Sequence, residues 1–280
     1  MKNIFNIIVI LLTLFLSYTC GVKNKPGSKI KEITKTHEND SNEVDIVFES
    51  KELHKIYYNE SYKTDDSTFI SLNYVFMTKG PNKDKINSFI EKELIQSSYY
   101  NEEDSFYNLQ DILNSFIRDF KSFGMENPDF PQNWFYEISA KDIYYTPKIL
   151  CLEISSGGYT GGAHGNYSVS YYNIELNTGE LLKLDNLLIK GFEKKLNELI
   201  DKKFREAKGL KPGDDLEKDG GLFENKIKYN DNFAVTKEGL KFYYNNYEIA
   251  PYAAGPTELL ITYTELKDLI PENSLLNFKE

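Results

Sequence analysis

The sequence predicts an α+β fold of mainly antiparallel sheets with three long helices, arranged as two closely associated subdomains. Three observations lead there. The element order reads ββαα, then several strands, one helix and three strands, without the βαβα alternation of a parallel sheet. The chain holds 21 Tyr and 18 Phe, residues that suit half-buried pleated surfaces. Its 280 residues are 40% hydrophobic and 27% charged, enough for real cores and too apolar for a disordered chain. A net charge of −10 argues against general nucleic-acid binding, which needs a basic surface.

The elements follow in order. Residues 51–60 and 67–78 read as strands. In the second, Phe69, Ser71, Asn73 and Val75 alternate against Ile70, Leu72, Tyr74 and Phe76. Gly80-Pro81 stops that strand and opens a helix over 82–97, whose buried face carries Ile86, Phe89, Ile90 and Leu94. A second helix is expected over 105–123 on the stripe Phe106, Leu109, Leu113, Phe116, Ile117 and Phe120. Asp104 or Ser105 would cap it, and Gly124 would stand just past its end. Strands then read over 134–139, 142–146, 149–156 and 167–176, and Asn177-Thr178-Gly179 turns into 181–184. Asp185 can cap a short helical turn, and Phe192, Leu196, Leu199, Ile200 and Phe204 mark a long helix over 191–206. Strands at 232–236, 240–244 and 258–263 and a short helix at 264–270, ended by Pro271, complete the pattern. The expected division is 1–19 signal peptide, 20–45 tether, 46–156 N-terminal α+β domain and 157–280 C-terminal α+β domain.

The N-terminus carries its own chemistry. Lys2 precedes a nearly unbroken apolar run at 4–16, short for a membrane span and right for a signal peptide. Leu16-Ser17-Tyr18-Thr19-Cys20 follows. A small residue before Cys resembles the lipobox of bacterial lipoproteins, in the looser form of Bacteroidota, with Ser17 where Leu is usual. The resemblance implies lipidation of Cys20. Cys151 would then be the one remaining thiol, with no intrachain disulfide. Residues 21–35 hold five Lys against one Glu and read as a tether able to lie on anionic headgroups. Removing 1–19 takes away only Lys2 and leaves a charge of −11.

Two segments stand out as candidate sites. Residues 157–165 place five Gly in nine positions between two strands and include Tyr159, Gly161, Gly162, His164 and Gly165. Glycine there allows positive φ and close backbone approach. His164 could offer its imidazole to a sugar hydroxyl or a partner carbonyl. It could equally bond the backbone of a wide hairpin. The second segment, 243–256, holds Tyr243, Tyr244, Tyr247, Glu248 and Tyr252. Its rings with polar tips suit a carbohydrate or a protein partner, or they plug the base of a sheet.

Other chemistries find little support. There is no Gly-x-Ser-x-Gly elbow, no His-Glu-x-x-His and no Cys-x-x-Cys, and His37, His54 and His164 are scattered. No metal and no cofactor is expected. Cys151 should pair near residue 171 across a hairpin, which puts it over about 20 Å from His164 near the turn, too far for a dyad. Asp214 to Gly220 clusters oxygen ligands without the spacing of a calcium loop. A glycosidase carboxylate pair stays open, because carboxylates are plentiful and unmarked.

The segments Tyr159-Thr160-Gly161-Gly162-Ala163-His164-Gly165, Tyr172-Asn173 to Leu182, and Tyr247 to Gly255 resemble the C-terminal domain of the RsiV ectodomain family. Residues 46–156 are similar to the companion domain that also precedes the catalytic domain of PdaC-type peptidoglycan deacetylases. That resemblance implies an α+β fold and a recognition surface for lysozyme rather than an active site. No anti-sigma segment precedes the hydrophobic run and no deacetylase domain is present, so neither activity is carried over. The reading is a non-enzymatic envelope lipoprotein, anchored on the periplasmic side of the outer membrane. It would bind a lysozyme-like protein or peptidoglycan glycan through Tyr159, Gly161, Gly162, His164, Gly165, Tyr247, Glu248 and Tyr252. A carbohydrate-active hydrolase is the alternative, and a purely structural envelope protein a third reading.

Overall fold

The computed structural model describes residues 46–58, 67–98, 106, 108–128 and 132–277. The expected signal peptide, Cys20, the tether and the helix caps Asp104 and Ser105 lie outside them. The described residues form the α+β fold read from the sequence, with two sheets that are antiparallel at all but one strand pair.

The larger sheet has six strands in chain order: β1 (Val47–Tyr58), β2 (Ser67–Lys79), β3 (Phe135–Tyr145), β4 (Ile149–Tyr159), β5 (Asn166–Glu175) and β6 (Glu180–Leu181). Only β2 and β3 run parallel. Two helices, α1 (Lys83–Gln96) and α2 (Leu109–Glu126), make the crossover that a parallel pair requires. They bury Ile86, Ile90, Leu94, Ile112, Leu113 and Phe116 against Ile70, Leu72, Ile138, Leu152 and Ile154. The alternation read in β2 holds for Ile70 and Leu72, but beyond Asn73 the buried set switches to the odd-numbered Val75 and Met77. At full burial, each Leu or Ile there contributes about 1.5–3 kcal/mol.

Several boundaries move for identifiable reasons. The two strands expected at 134–139 and 142–146 are one strand, β3, because a register shift between Asp142 and Tyr144 absorbs the break in pattern. Helix α2 starts later than expected, at a cap on Asn108, whose side chain accepts from the Asp111 N–H at 3.1 Å. It also runs through Gly124, which is not its terminal glycine. Asn127 closes the helix instead, its N–H and Nδ2 both donating to the Phe123 carbonyl. The strand expected at 181–184 shrinks to Glu180–Leu181, since Leu184 already begins α3 (Leu184–Leu187). Lys183, rather than Asp185, precedes that turn, and its N–H donates to Asn186 Oδ1.

The second layer holds α4 (Glu193–Lys208), a sheet of β7 (Phe233–Val235), β8 (Gly239–Tyr244) and β9 (Thr257–Thr262), and α5 (Tyr263–Leu266). Leu196, Ile200 and Phe204 of α4 pack with Phe242, Leu259 and Ile261 in a separate core. Gly209 ends α4 at φ 69°. Thr262 caps α5, and Glu265 binds back to the Thr262 N–H (3.0 Å) and hydroxyl (2.8 Å) and to Lys203 Nζ (2.9 Å). Burial raises the Glu265 carboxyl, but these partners outweigh it and hold the group down at about 2.

Three asparagines stitch the layers together. Strand β6 pairs with β5 only at Ile174 and Glu175, so the rest of that β5 edge needs other partners. Asn245 accepts from the Val169 N–H (2.8 Å) and donates to the Val169 carbonyl (3.0 Å). Asn232 accepts from the Tyr171 N–H and donates to the Val169 carbonyl, both at 2.8 Å. From β5 itself, Asn173 donates to the Phe233 carbonyl and accepts from the Val235 N–H, again both at 2.8 Å. Each side-chain amide thus takes the place of a neighbouring strand. Between them, Cys151, Tyr171 and Ala234 form a small apolar cluster that joins the sheets.

The strand registers fix which features share an end of the large sheet. Val47 pairs with Lys79 at one end, and Tyr58 with Ser67 at the other. Phe69, near the second end, aligns with Phe135, and Phe135 with Tyr159. The connection from β4 to β5 therefore lies at the end remote from the start of β1.

Candidate functional site

The five glycines of 157–165 do three different jobs. Gly157 and Gly158 are not in a loop; they lie within β4, and each is overlaid by a tyrosine from a neighbouring strand. A methyl at Gly157 would enter the ring of Tyr167 on β5, and one at Gly158 would meet the Phe135 carbonyl and the ring of Tyr136 on β3. Gly161 and Gly162 turn the chain at φ 100° and 96°, where a side chain would be strained. Gly165 passes so close to β4 that a Cβ would lie 2.7 Å from the Gly158 carbonyl. Tyr159 braces the turn, its hydroxyl within hydrogen-bond distance of the Gly162 carbonyl (2.9 Å) and Gln132 Oε1 (3.0 Å). His164 is left exposed at the tip, with Nδ1 2.9 Å from the Gly165 carbonyl.

The four tyrosines of the second segment divide. Tyr244 is 1% exposed and donates to the Lys228 carbonyl at 2.6 Å. Tyr243 packs edge-on against Tyr171. These two follow the sheet-plug reading. Tyr247 and Tyr252 do not: Tyr247 is 56% exposed, and Tyr252 begins a 3-10 turn (Tyr252–Ala254) at the surface.

The two segments converge. The His164 ring stacks on Tyr252 with centroids 3.9 Å apart and planes 17° from parallel. The Tyr252 hydroxyl donates to the Gly165 carbonyl at 3.0 Å. Tyr247 stands beside both, its ring 5.6 Å from that of Tyr252 and its hydroxyl 3.4 Å from His164 Nε2. Asn245 explains the meeting. By clipping onto Val169, it brings the start of the tyrosine loop to the strand that the glycine loop feeds. With Nδ1–H given to the Gly165 carbonyl, the Nε2 lone pair points toward the Tyr247 hydroxyl. The patch offers aromatic faces, one imidazole and phenol oxygens to a ligand.

Glu248 is exposed at the surface but engaged by its own loop. Its Oε1 accepts from Asn230 Nδ2 (2.6 Å) and its Oε2 from the Asn245 N–H (2.8 Å), so both oxygens hold the loop. Sequence reasoning counted Asn245 only among the polar tips of its loop and passed over Asn230 and Gln132, which also hold the patch in place, and Tyr167, 51% exposed on the strand that leaves the glycine loop. Asparagine clips leave no periodic signal. Tyr167 was legible only as one strand residue among several.

The remaining candidates separate from this patch. Cys151 is fully buried and pairs with Asn173, close to the expected position near 171, and burial pushes its thiol up to about 12. His54 lies on β1, and His37 lies outside the described residues. In the acidic loop, Asp215 Oδ1 accepts from the Glu217 and Lys218 N–H groups and Asp214 Oδ2 from that of Lys211, so these carboxylates shape their own turns. Among the described residues, no three His, Cys, Asp or Glu side chains gather as a metal site. No helix among them is long and apolar enough to cross a membrane.

Fold and patch define a two-layer α+β protein with a loop-built aromatic face. Residues 62–167 match the family model described as "Deacetylase PdaC", and residues 185–264 the one described as "Protein of unknown function (DUF3298)". Two different family models thus match successive segments of the chain. The patch draws on both: His164 falls in the first, Tyr247 and Tyr252 in the second. No curated protein matches the chain. Its fold is similar to the crystal structure of a DUF3298 family member from Bacteroides fragilis, with TM-score 0.68 and 22% identity over 84% of this chain and 98% of that one. It is also similar to a DUF3298 family protein from Pseudomonas aeruginosa, with TM-score 0.58 and 18% identity over 80% and 94%.

Proposed function

We propose that this chain is a non-enzymatic binding protein of the bacterial cell envelope, lipid-anchored through Cys20. It recognises a protein ligand of lysozyme type through the face made by Tyr159, Gly161, Gly162, His164, Gly165, Tyr247 and Tyr252. The observation that carries this reading is the stack of His164 on Tyr252 with Tyr247 alongside, built from loops more than 80 residues apart. Exposed tyrosine beside imidazole is the composition of recognition surfaces, where rigid aromatic area with polar tips gives contact at low entropic cost. A charge of −11 after residue 19 would speed encounter with a cationic protein.

Cell-wall glycan is the second reading, favoured by the half-exposed Tyr247 ring, which offers a sugar both a face and a hydroxyl. Binding of the purified protein to hen egg-white lysozyme and to purified peptidoglycan separates the two. Saturable lysozyme binding that weakens with salt supports the first, and binding to peptidoglycan alone supports the second. Retention of neither by the wild type, or equal retention by His164→Ala, removes the proposal. Release of soluble sugars from peptidoglycan would instead favour a hydrolase. For the anchor, mass spectrometry of the membrane-extracted N-terminus should find a diacylated Cys20; an unmodified or uncleaved N-terminus counts against it.

A further inference from the structure

Tyr247 occupies a backbone conformation that its side chain disfavours. Its φ is 65°, in the left-handed region, and it shares positive φ with only one other non-glycine among the described residues, Asn82. The turn around it is closed by the Glu248 N–H donating to the Asn245 carbonyl at 3.1 Å, which puts Tyr247 at the third turn position. Glycine or asparagine is the favoured residue there, and asparagine stands one position earlier, at Asn246. A bulky residue held this way marks a conformation imposed by its surroundings.

The neighbouring side chains impose it. Glu248 takes the Asn245 N–H on one carboxylate oxygen and Asn230 Nδ2 on the other, and Asn245 is clipped to Val169. The turn is thus fastened on both sides of the strained residue. The side chain gains little interior contact in return, since more than half of it is exposed. Its hydroxyl lies 3.4 Å from His164 Nε2, a long and weak hydrogen bond. Stability of the fold therefore does not account for a tyrosine at this position.

We infer that Tyr247 is the anchor of the recognition face, a specificity-determining residue that the Asn245–Glu248 turn displays at the expense of local strain. The inference rests on the proposed binding role and names the side chain that dominates it. Its chemistry fits a ligand that covers an aromatic face and donates a hydrogen bond to the phenol oxygen, such as a basic side chain of a protein ligand.

The test compares Tyr247→Gly, Tyr247→Ala and Tyr247→Phe in the purified protein, reading thermal melting and lysozyme binding, with peptidoglycan binding as the parallel arm. Tyr247→Gly relieves the backbone and is expected to melt at the wild-type temperature or a few degrees above it, while binding weakens by about tenfold or more. Tyr247→Ala should lose binding equally without the gain in melting temperature, and Tyr247→Phe should keep part of the affinity. A Tyr247→Gly protein that melts below wild type shows the ring to be structural and overturns the inference. So does one that binds as wild type does. If the wild type itself binds neither probe, the recognition role fails first and the inference falls with it. Loss confined to the peptidoglycan arm overturns the assignment to a protein ligand.

Discussion

Four tyrosines within ten residues meet opposite fates, and the contrast between Tyr243-Tyr244 and Tyr247/Tyr252 shows how this molecule separates stability from display. Tyr244 ends a central strand, points into the second core and gives its hydroxyl to a backbone carbonyl. Tyr247, three residues later, has left the strand for a turn that reverses the chain, and its ring faces outward. Residue type is the same in both places. The difference lies in what the backbone does between them, and Asn245 is the residue at which the path divides.

That contrast can be broken experimentally, most forcefully in its buried half. Tyr244→Ala should cost about 3–5 kcal/mol in urea unfolding, the usual penalty for emptying an aromatic site in a core. Tyr244→Phe should cost about 1–3 kcal/mol by leaving the Lys228 carbonyl without its partner. A loss from Tyr244→Ala no larger than that of a surface substitution would show that burial does not separate the two pairs. Next in size, Asn245→Ala removes both bonds to Val169 and should cost about 1–3 kcal/mol. It should also free the tyrosine loop from the glycine loop, seen as loss of the ring-current shift that Tyr252 imposes on the His164 resonances. Unchanged resonances would mean that the loops meet without the clip.

Acid offers a test confined to the second layer, away from the displayed tyrosines. The Glu265 carboxyl is held below its ordinary value in the folded chain, so the unfolded chain binds the proton more readily. Its stabilisation is complete above about pH 4.5 and is lost as pH falls toward about 2. The group keeps some contact with solvent, so the loss should be about 1–2 kcal/mol, read as the difference between wild type and Glu265→Gln across that range. A difference independent of pH would deny the group this role. The smallest effect belongs to the display half: His164→Ala should cost about 0.5–1.5 kcal/mol, the worth of its stack on Tyr252, while weakening ligand binding far more than stability.

Much of the scaffold was legible because periodicity reports burial. The stripes of α2 and α4 led to the helices and faces observed, and the alternation of β2 to a strand whose buried set changes parity beyond Asn73. Boundaries failed where a local device outweighed the pattern: Asn108 and Asn127 set the ends of α2 in place of Ser105 and Gly124, and a bulge joined two short strands into β3. The parallel pairing of β2 with β3 has no local mark, since it follows from the crossover through α1 and α2. For the site, glycine density and tyrosine density singled out the two segments that meet. Their contact was not legible, because it depends on asparagine side chains completing the edge of a strand some 60 to 76 residues away. Glu248, read as facing a ligand, also braces the turn through Asn230 and the Asn245 N–H, a role that composition alone does not carry.

The direction of β1 has a further consequence. Its 12 residues cover about 40 Å, and the glycine loop sits at the far pole from where this strand begins. If Cys20 carries lipid, as proposed, the chain enters the folded body at the foot and bears its tyrosines at the crown. A ligand seized there would meet the molecule about one strand length from the point at which the chain enters the fold.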